Sequence, residues 1–144
     1  MNTLIKTFAA AALIAVSTWT TAAEKPEKGI VNLSTADFAI DNYVAVMTEG
    51  QSVGVEQLFA SDFNQKVQTE NAKTNSRSEV INFLKRQKGE KLNCKTTTTI
   101  IEESADYMLA KVTMQFEGFT KTDLVTLINE GGSWKVSKSI NSYK

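Results

Sequence analysis

The sequence contains no histidine. That absence removes a Ser-His-Asp triad, a Cys-His pair, a His-ligated zinc site and a histidine general base together. There is one cysteine, Cys94, and one proline, Pro26. With a single cysteine the chain has no internal disulfide, so the fold must be held by its core alone. Cys94 is read as a buried, inert thiol, with pairing between two chains as the alternative. Net charge is missing too, because 16 basic residues balance 16 acidic ones. Nucleic acid and an anionic membrane surface both demand a clustered positive field, so neither is expected as a partner.

No apolar run reaches the roughly 20 residues that a membrane-spanning helix needs. The run "TFAAAALIAVSTW" follows a short basic region closed by Lys6 and has the length of a signal-peptide core. "TTAA" then puts Thr21 and Ala23 at the two positions a signal peptidase reads. The expectation is a signal peptide over residues 1–23, cut after Ala23, and a secreted or periplasmic protein with no membrane association after cleavage. An uncleaved N-terminal anchor is the alternative. No cysteine follows the apolar run, which argues against a lipid anchor. "EKPEKGIVNL" (24–33) reads as a flexible leader, and residues 34–144 as a single domain with room for a core.

A first helix is expected from about Thr35 to Glu49. Ser34 or Thr35 can cap it, Asp37 suits its positive end, and Gly50 stops it. Ala36, Ala39, Ile40, Tyr43, Val46 and Met47 recur at helical spacing. A helical turn around "VEQLFA" (55–60) and a short strand and turn over "DFNQKVQTE" and "NAKTNS" (62–76) follow. In "SRSEVINFLKRQKG", Ser76 and Glu79 have capping-box spacing, and Val80, Ile81, Phe83 and Leu84 form the apolar stripe of a second helix.

From Leu92 onward the hydrophobic period switches from 3.6 to 2. Residues 93–103, 107–118, 122–130 and 133–143 read as four consecutive strands joined by hairpin-length connections. Met108, Ala110, Val112, Met114 and Phe116 give the second an apolar face. On the last, strict alternation places Trp134, Val136, Lys138 and Ile140 together. Lys138 is then a charged group in a pocket, a lysine reaching water near the strand's end, or a residue turned outward by a bulge after Val136. Helices followed by antiparallel strands describe an α+β domain in which a curved sheet wraps the helices.

The order of these elements carries a family resemblance, through "YVAVMTEGQSVGVEQLFASDF" (43–63), "SRSEVINFLKRQ" (76–87) and "LVTLINEGGSWKVSKSI" (124–140). The chain resembles the nuclear transport factor 2-like superfamily, in the exported bacterial branch called SnoaL-like or lumazine-binding. The resemblance implies an α+β, cystatin-like fold: a cone-shaped, curved antiparallel sheet around N-terminal helices, enclosing a cavity. It also implies a homodimer formed through the outer sheet face. It does not fix the function, because this fold hosts isomerases, dehydratases, cyclases, binders and scaffolds.

An isomerase-like member needs a cavity carboxylate and an oxyanion donor. Tyr43 is the candidate donor, or else a core tyrosine. Asp62, Asp123 and Glu117 are the available carboxylates. Asp62 is expected to begin a turn, and Glu117 and Asp123 to be solvated beside the "GFTK" hairpin. No catalytic residue is therefore assigned. The leading expectation is a non-catalytic domain that binds a small apolar or weakly anionic molecule, or serves as a dimeric interaction module. Tyr43, Met114, Phe116, Trp134 and Lys138 are its cavity candidates. No cofactor and no metal are implied. The alternatives are an isomerase- or dehydratase-like enzyme pairing a carboxylate with Tyr43, and a pure interaction scaffold.

Overall fold

The computed structural model describes residues 31–144. The expected signal peptide, its cleavage after Ala23 and most of the leader lie outside the described residues. Helix α1 spans Ala36–Thr48, with the Thr35 side chain accepting from the Phe38 amide at 3.1 Å and Asp37 in the first turn. Its expected stripe is the buried one: Ala36, Ala39, Ile40, Tyr43 and Val46 face the core. The short helix α2, Val55–Leu58, starts from Gly54 at φ 74°. A Cβ there would stand 1.6 Å from Val31 Cγ2, so both backbone and packing require glycine.

Strand β1 runs Phe59–Gln68 and β2 Lys73–Ser76; helix α3, Arg77–Arg86, follows directly. The predicted capping box is present. The Ser76 amide donates to Glu79 Oε2 at 2.7 Å, and the Glu79 amide to Ser76 Oγ at 3.3 Å. Strands β3 (Lys95–Glu103), β4 (Tyr107–Gln115), β5 (Thr120–Glu130) and β6 (Ser133–Tyr143) form the expected meander. Gly131 and Gly132 close its last hairpin at φ 61° and 89°, the positive pair that a twist-matched two-residue turn needs.

All six strands belong to one sheet in the order β2-β1-β6-β5-β4-β3. The parallel pairing of β1 with β6 completes it. That contact joins strands from opposite ends of the domain, so no local pattern announces it. Register shifts interrupt the ladders between Phe59 and Asn64, Ile100 and Glu102, and Thr126 and Leu127. Such bulges bend and twist a sheet, and this one is curved. Helix α1 lies against β4, β5 and β6, and α3 against β1 and β2. Between α1 and the sheet sits a core of Tyr43, Phe59, Met108, Val112, Met114, Val125, Leu127 and Val136, all essentially inaccessible.

One expectation fails here, and for Lys138 the bulge alternative is the one realised. The β4–β5 turn closes through the Phe116 amide to the Phe119 carbonyl at 2.9 Å, and β5 begins at Thr120. Asp123 is therefore a strand residue in phase with Val125 and Leu127 and is fully buried, not solvated. On β6, Leu127 pairs with Val136 while Thr126 pairs with Lys138, leaving Ser137 as the extra residue of a bulge. The inward face therefore continues as Trp134, Val136, Ser139 and Asn141. Lys138 and Ile140 fall on the outer face, away from Trp134 and Val136.

Candidate functional site

Three elements, α1, β5 and β6, bring polar side chains together. Tyr43, near the middle of α1, is buried with its ring edge-on to Phe59 at 6.4 Å. Its hydroxyl donates to Asp123 Oδ2 at 2.8 Å. Lys121, two residues before Asp123 and so on the same face of β5, donates from Nζ to that oxygen at 3.2 Å. Asn141 is directly opposite Asp123 on β6, and Ser139 opposite Val125. Asp123 Oδ1, Ser139 Oγ and Asn141 Oδ1 are buried with no hydrogen-bond partner among the described residues.

Burial pushes the Tyr43 hydroxyl pKa well above its ordinary 10.0. The Asp123 charge and the hydrogen bond to it act in the same direction, while the Ser139 hydroxyl opposes them. Tyr43 is therefore a neutral donor at physiological pH, held on a carboxylate whose countercharge is Lys121.

Beside this cluster opens a cavity of about 560 Å³. Val46 and Met47 of α1, Phe83 and Leu84 of α3, and Val67 of β1 supply apolar wall. Phe116, Phe119 and Tyr143 supply aromatic wall. The two phenyl rings stack at 4.6 Å and 11° between planes, and Phe119 leans on Tyr143 at 6.2 Å. The polar lining includes Lys121 and the carboxamides of Gln65, Asn75, Asn82, Gln87 and Asn141. Asn75 already donates to Gln65 Oε1 at 2.8 Å. Among the described residues no group of three or more Cys, Asp or Glu is arranged to hold a metal ion.

Of the five residues expected in the cavity, Phe116 lines it. Tyr43 and Met114 are buried in the core behind it. Trp134 is buried at the start of β6, its amide donating to the Leu33 carbonyl at 2.8 Å. Lys138 is on the far face of the sheet. Sequence reasoning missed Lys121, Phe119, Asn141 and Tyr143. The spacing Lys121, Asp123, Val125, Leu127 carried a usable signal, since it extends the inward phase of β5 to the lysine.

A six-stranded curved sheet packed on N-terminal helices is the nuclear transport factor 2-like fold. Within it, the chain belongs to the family described as "Putative lumazine-binding", whose model matches residues 32–140. Similar solved structures include an NTF-2-like protein of unknown function from Silicibacter pomeroyi. It has 20% identity and a TM-score of 0.57, over 74% of this chain and 88% of that one. A protein of the DUF3225 family from Pectobacterium atrosepticum has 15% identity and a TM-score of 0.61, over 85% and 99%. A ketosteroid isomerase-like protein from Erwinia carotovora atroseptica has 14% identity and a TM-score of 0.59, over 83% and 98%. At these identities the likeness is one of fold. No curated protein matches the chain.

Proposed function

We propose that the protein is an exported, non-catalytic domain that binds a flat, largely apolar, weakly anionic small molecule in the 560 Å³ cavity. One observation carries the reading: a cavity in the usual ligand range of roughly 300–1,000 Å³ whose aromatic and aliphatic walls meet Lys121 and several carboxamides. An ammonium has three donors, and Lys121 places one on Asp123. The others serve an acceptor or anionic group on the ligand, while Phe116, Phe119 and Tyr143 take its flat face. The matched family's name points to lumazine, a flat heterocycle with acceptors along its edge, which fits these groups.

The test is native mass spectrometry of protein purified from its own host, followed by fluorescence titration with lumazine and with anilinonaphthalene sulfonate. Retained ligand or saturable 1:1 binding, weakened by Lys121→Met and Phe119→Ala, is the expected result. Absence of both sinks the proposal. The same spectra read the N-terminus, where mature chains starting at Glu24 are expected.

A second reading, an isomerase- or dehydratase-like enzyme, is favoured by the Tyr43–Asp123 contact. It ranks lower because that contact already engages the Tyr43 hydroxyl, and neither residue lines the cavity. Turnover of a β,γ-unsaturated ketone that Asp123→Asn abolishes would promote it.

A further inference from the structure

We propose that the cavity selects a cyclic imide or ureide, a heterocycle edge of the form C(=O)–NH–C(=O), and that Asn141 reads its N–H. The inference rests on the cavity being a ligand site, and it names the polar edge of that ligand. Asn141 is 2% exposed and belongs to the cavity wall. Asp123 stands directly opposite it on β5. Asp123 Oδ1 and Asn141 Oδ1 are both buried without a partner among the described residues. Two acceptors cannot satisfy each other. A half-turn of the Asn141 carboxamide resolves both when a ligand N–H is at hand. The amide N–H then donates to Asp123 Oδ1, and the amide oxygen, brought round to the cavity, accepts from the ligand. Asp123 Oδ2 is already taken by Tyr43 and Lys121, so Oδ1 is the oxygen left for Asn141.

Donors flank this acceptor on both neighbouring strands. β6 lies between β1 and β5 in the sheet. Lys121 on β5 keeps further N–H groups beyond the one on Asp123. Gln65 on β1, buried and on the cavity wall, has its Oε1 engaged by Asn75 at 2.8 Å. Its amide N–H groups are therefore what it offers a ligand. From β1 to β5 the wall reads donor, acceptor, donor. The complement is acceptor, donor, acceptor, which is two carbonyls flanking one N–H. A carboxylate brings acceptors and no donor, so it would set a negative charge against the Asn141 oxygen. The stacked rings of Phe116 and Phe119 match the flat ring to which an imide edge belongs. A site that bonds a ligand N–H discriminates against an analogue without it, because the buried acceptor is then left unpaired.

Fluorescence titration with lumazine, its N,N-dimethyl derivative and anilinonaphthalene sulfonate tests this, with circular dichroism to verify folding. The wild-type protein binds lumazine roughly tenfold or more tighter than the dimethyl derivative, which lacks the N–H. Asn141→Leu, a change of similar volume, brings the two affinities within about twofold of each other. Naphthoate, a flat carboxylate, displaces lumazine no better than the dimethyl derivative does. Equal wild-type affinities for lumazine and its dimethyl derivative, or a preference that survives Asn141→Leu, overturns the inference. So does naphthoate that competes as well as lumazine itself. In each of these cases saturable binding of the sulfonate leaves the cavity standing as a ligand site. If neither lumazine nor the sulfonate binds, that reading falls and this inference with it. The comparison on the wild-type protein decides even where Asn141→Leu does not fold.

Discussion

Replacing Lys121 by methionine removes the countercharge of a carboxylate that is 0% exposed. Asp123 Oδ2 would keep its bond from Tyr43 at 2.8 Å, and Oδ1 would still have no protein partner. At the 3.2 Å separation of Nζ and Oδ2, the bare attraction is about 5 kcal/mol for an effective dielectric near 20. Hydration of the lysine in the unfolded chain offsets part of that. Breaking a buried pair by deleting one partner costs about 3–5 kcal/mol. The Lys121 side chain retains 12% exposure, which argues for the lower end, about 3 kcal/mol. For a chain of this length about 4 °C of melting temperature corresponds to 1 kcal/mol, so Lys121→Met should melt about 12 °C lower. The decisive construction is a cycle with Asp123→Asn, read by urea unfolding at neutral pH. The asparagine still accepts from Tyr43 and needs no countercharge. The double variant should therefore recover to within about 1 kcal/mol of wild type. A Lys121→Met variant as stable as wild type, or a double variant no more stable than Lys121→Met, would refute the reasoning.

Tyr43→Phe should cost about 2 kcal/mol, since it deletes a hydrogen bond to a charged acceptor. It should also flatten the alkaline limb. A raised hydroxyl pKa means that Tyr43 contributes its full stability below its unfolded value of 10.0 and loses it as pH rises through the folded value. Urea midpoints from neutral pH to about pH 11 should thus fall less in the phenylalanine variant than in wild type. Gly54→Ala should destabilise by about 2 kcal/mol, read by thermal unfolding, because it places a Cβ in the left-handed region against the Val31 side chain. Lys138→Met should leave stability within about 0.5 kcal/mol of wild type. Its lumazine titration should match wild type too; an altered titration would return Lys138 to the ligand site.

The helices were legible because cap chemistry and period agree: Thr35 and Ser76 cap the positions their spacing announced, and the apolar stripes are the buried ones. The meander was legible because a two-residue period and short turns are local. The β1–β6 pairing was not, since it depends on residues some seventy positions apart meeting in parallel. Lys138 and Asp123 show how a single-residue uncertainty reverses a site assignment. Alternation has a period of two, so one extra residue at Ser137 moves Lys138 across the sheet. A turn closing at Phe119 instead of after Lys121 carries Lys121 and Asp123 into the interior phase. The strict alternation through Lys138 and the solvated Asp123 both give way at the ends or irregularities of strands, where burial is set by partners outside the local sequence.

The buried polar cluster is better understood as a positioning device than as a source of stability. Well-packed apolar residues of similar volume can stabilise a core as much as a buried ion pair does, or more. What they cannot do is fix a direction. The Tyr43 hydroxyl can meet Asp123 only if α1 has one rotation and height over β5, and Lys121 can meet the same oxygen only from the cavity side. The pair therefore ties the roof of the domain to the strand that carries Lys121 on the cavity wall. Loss of Tyr43 or Asp123 should then loosen the ligand site through Lys121, although neither residue lines it.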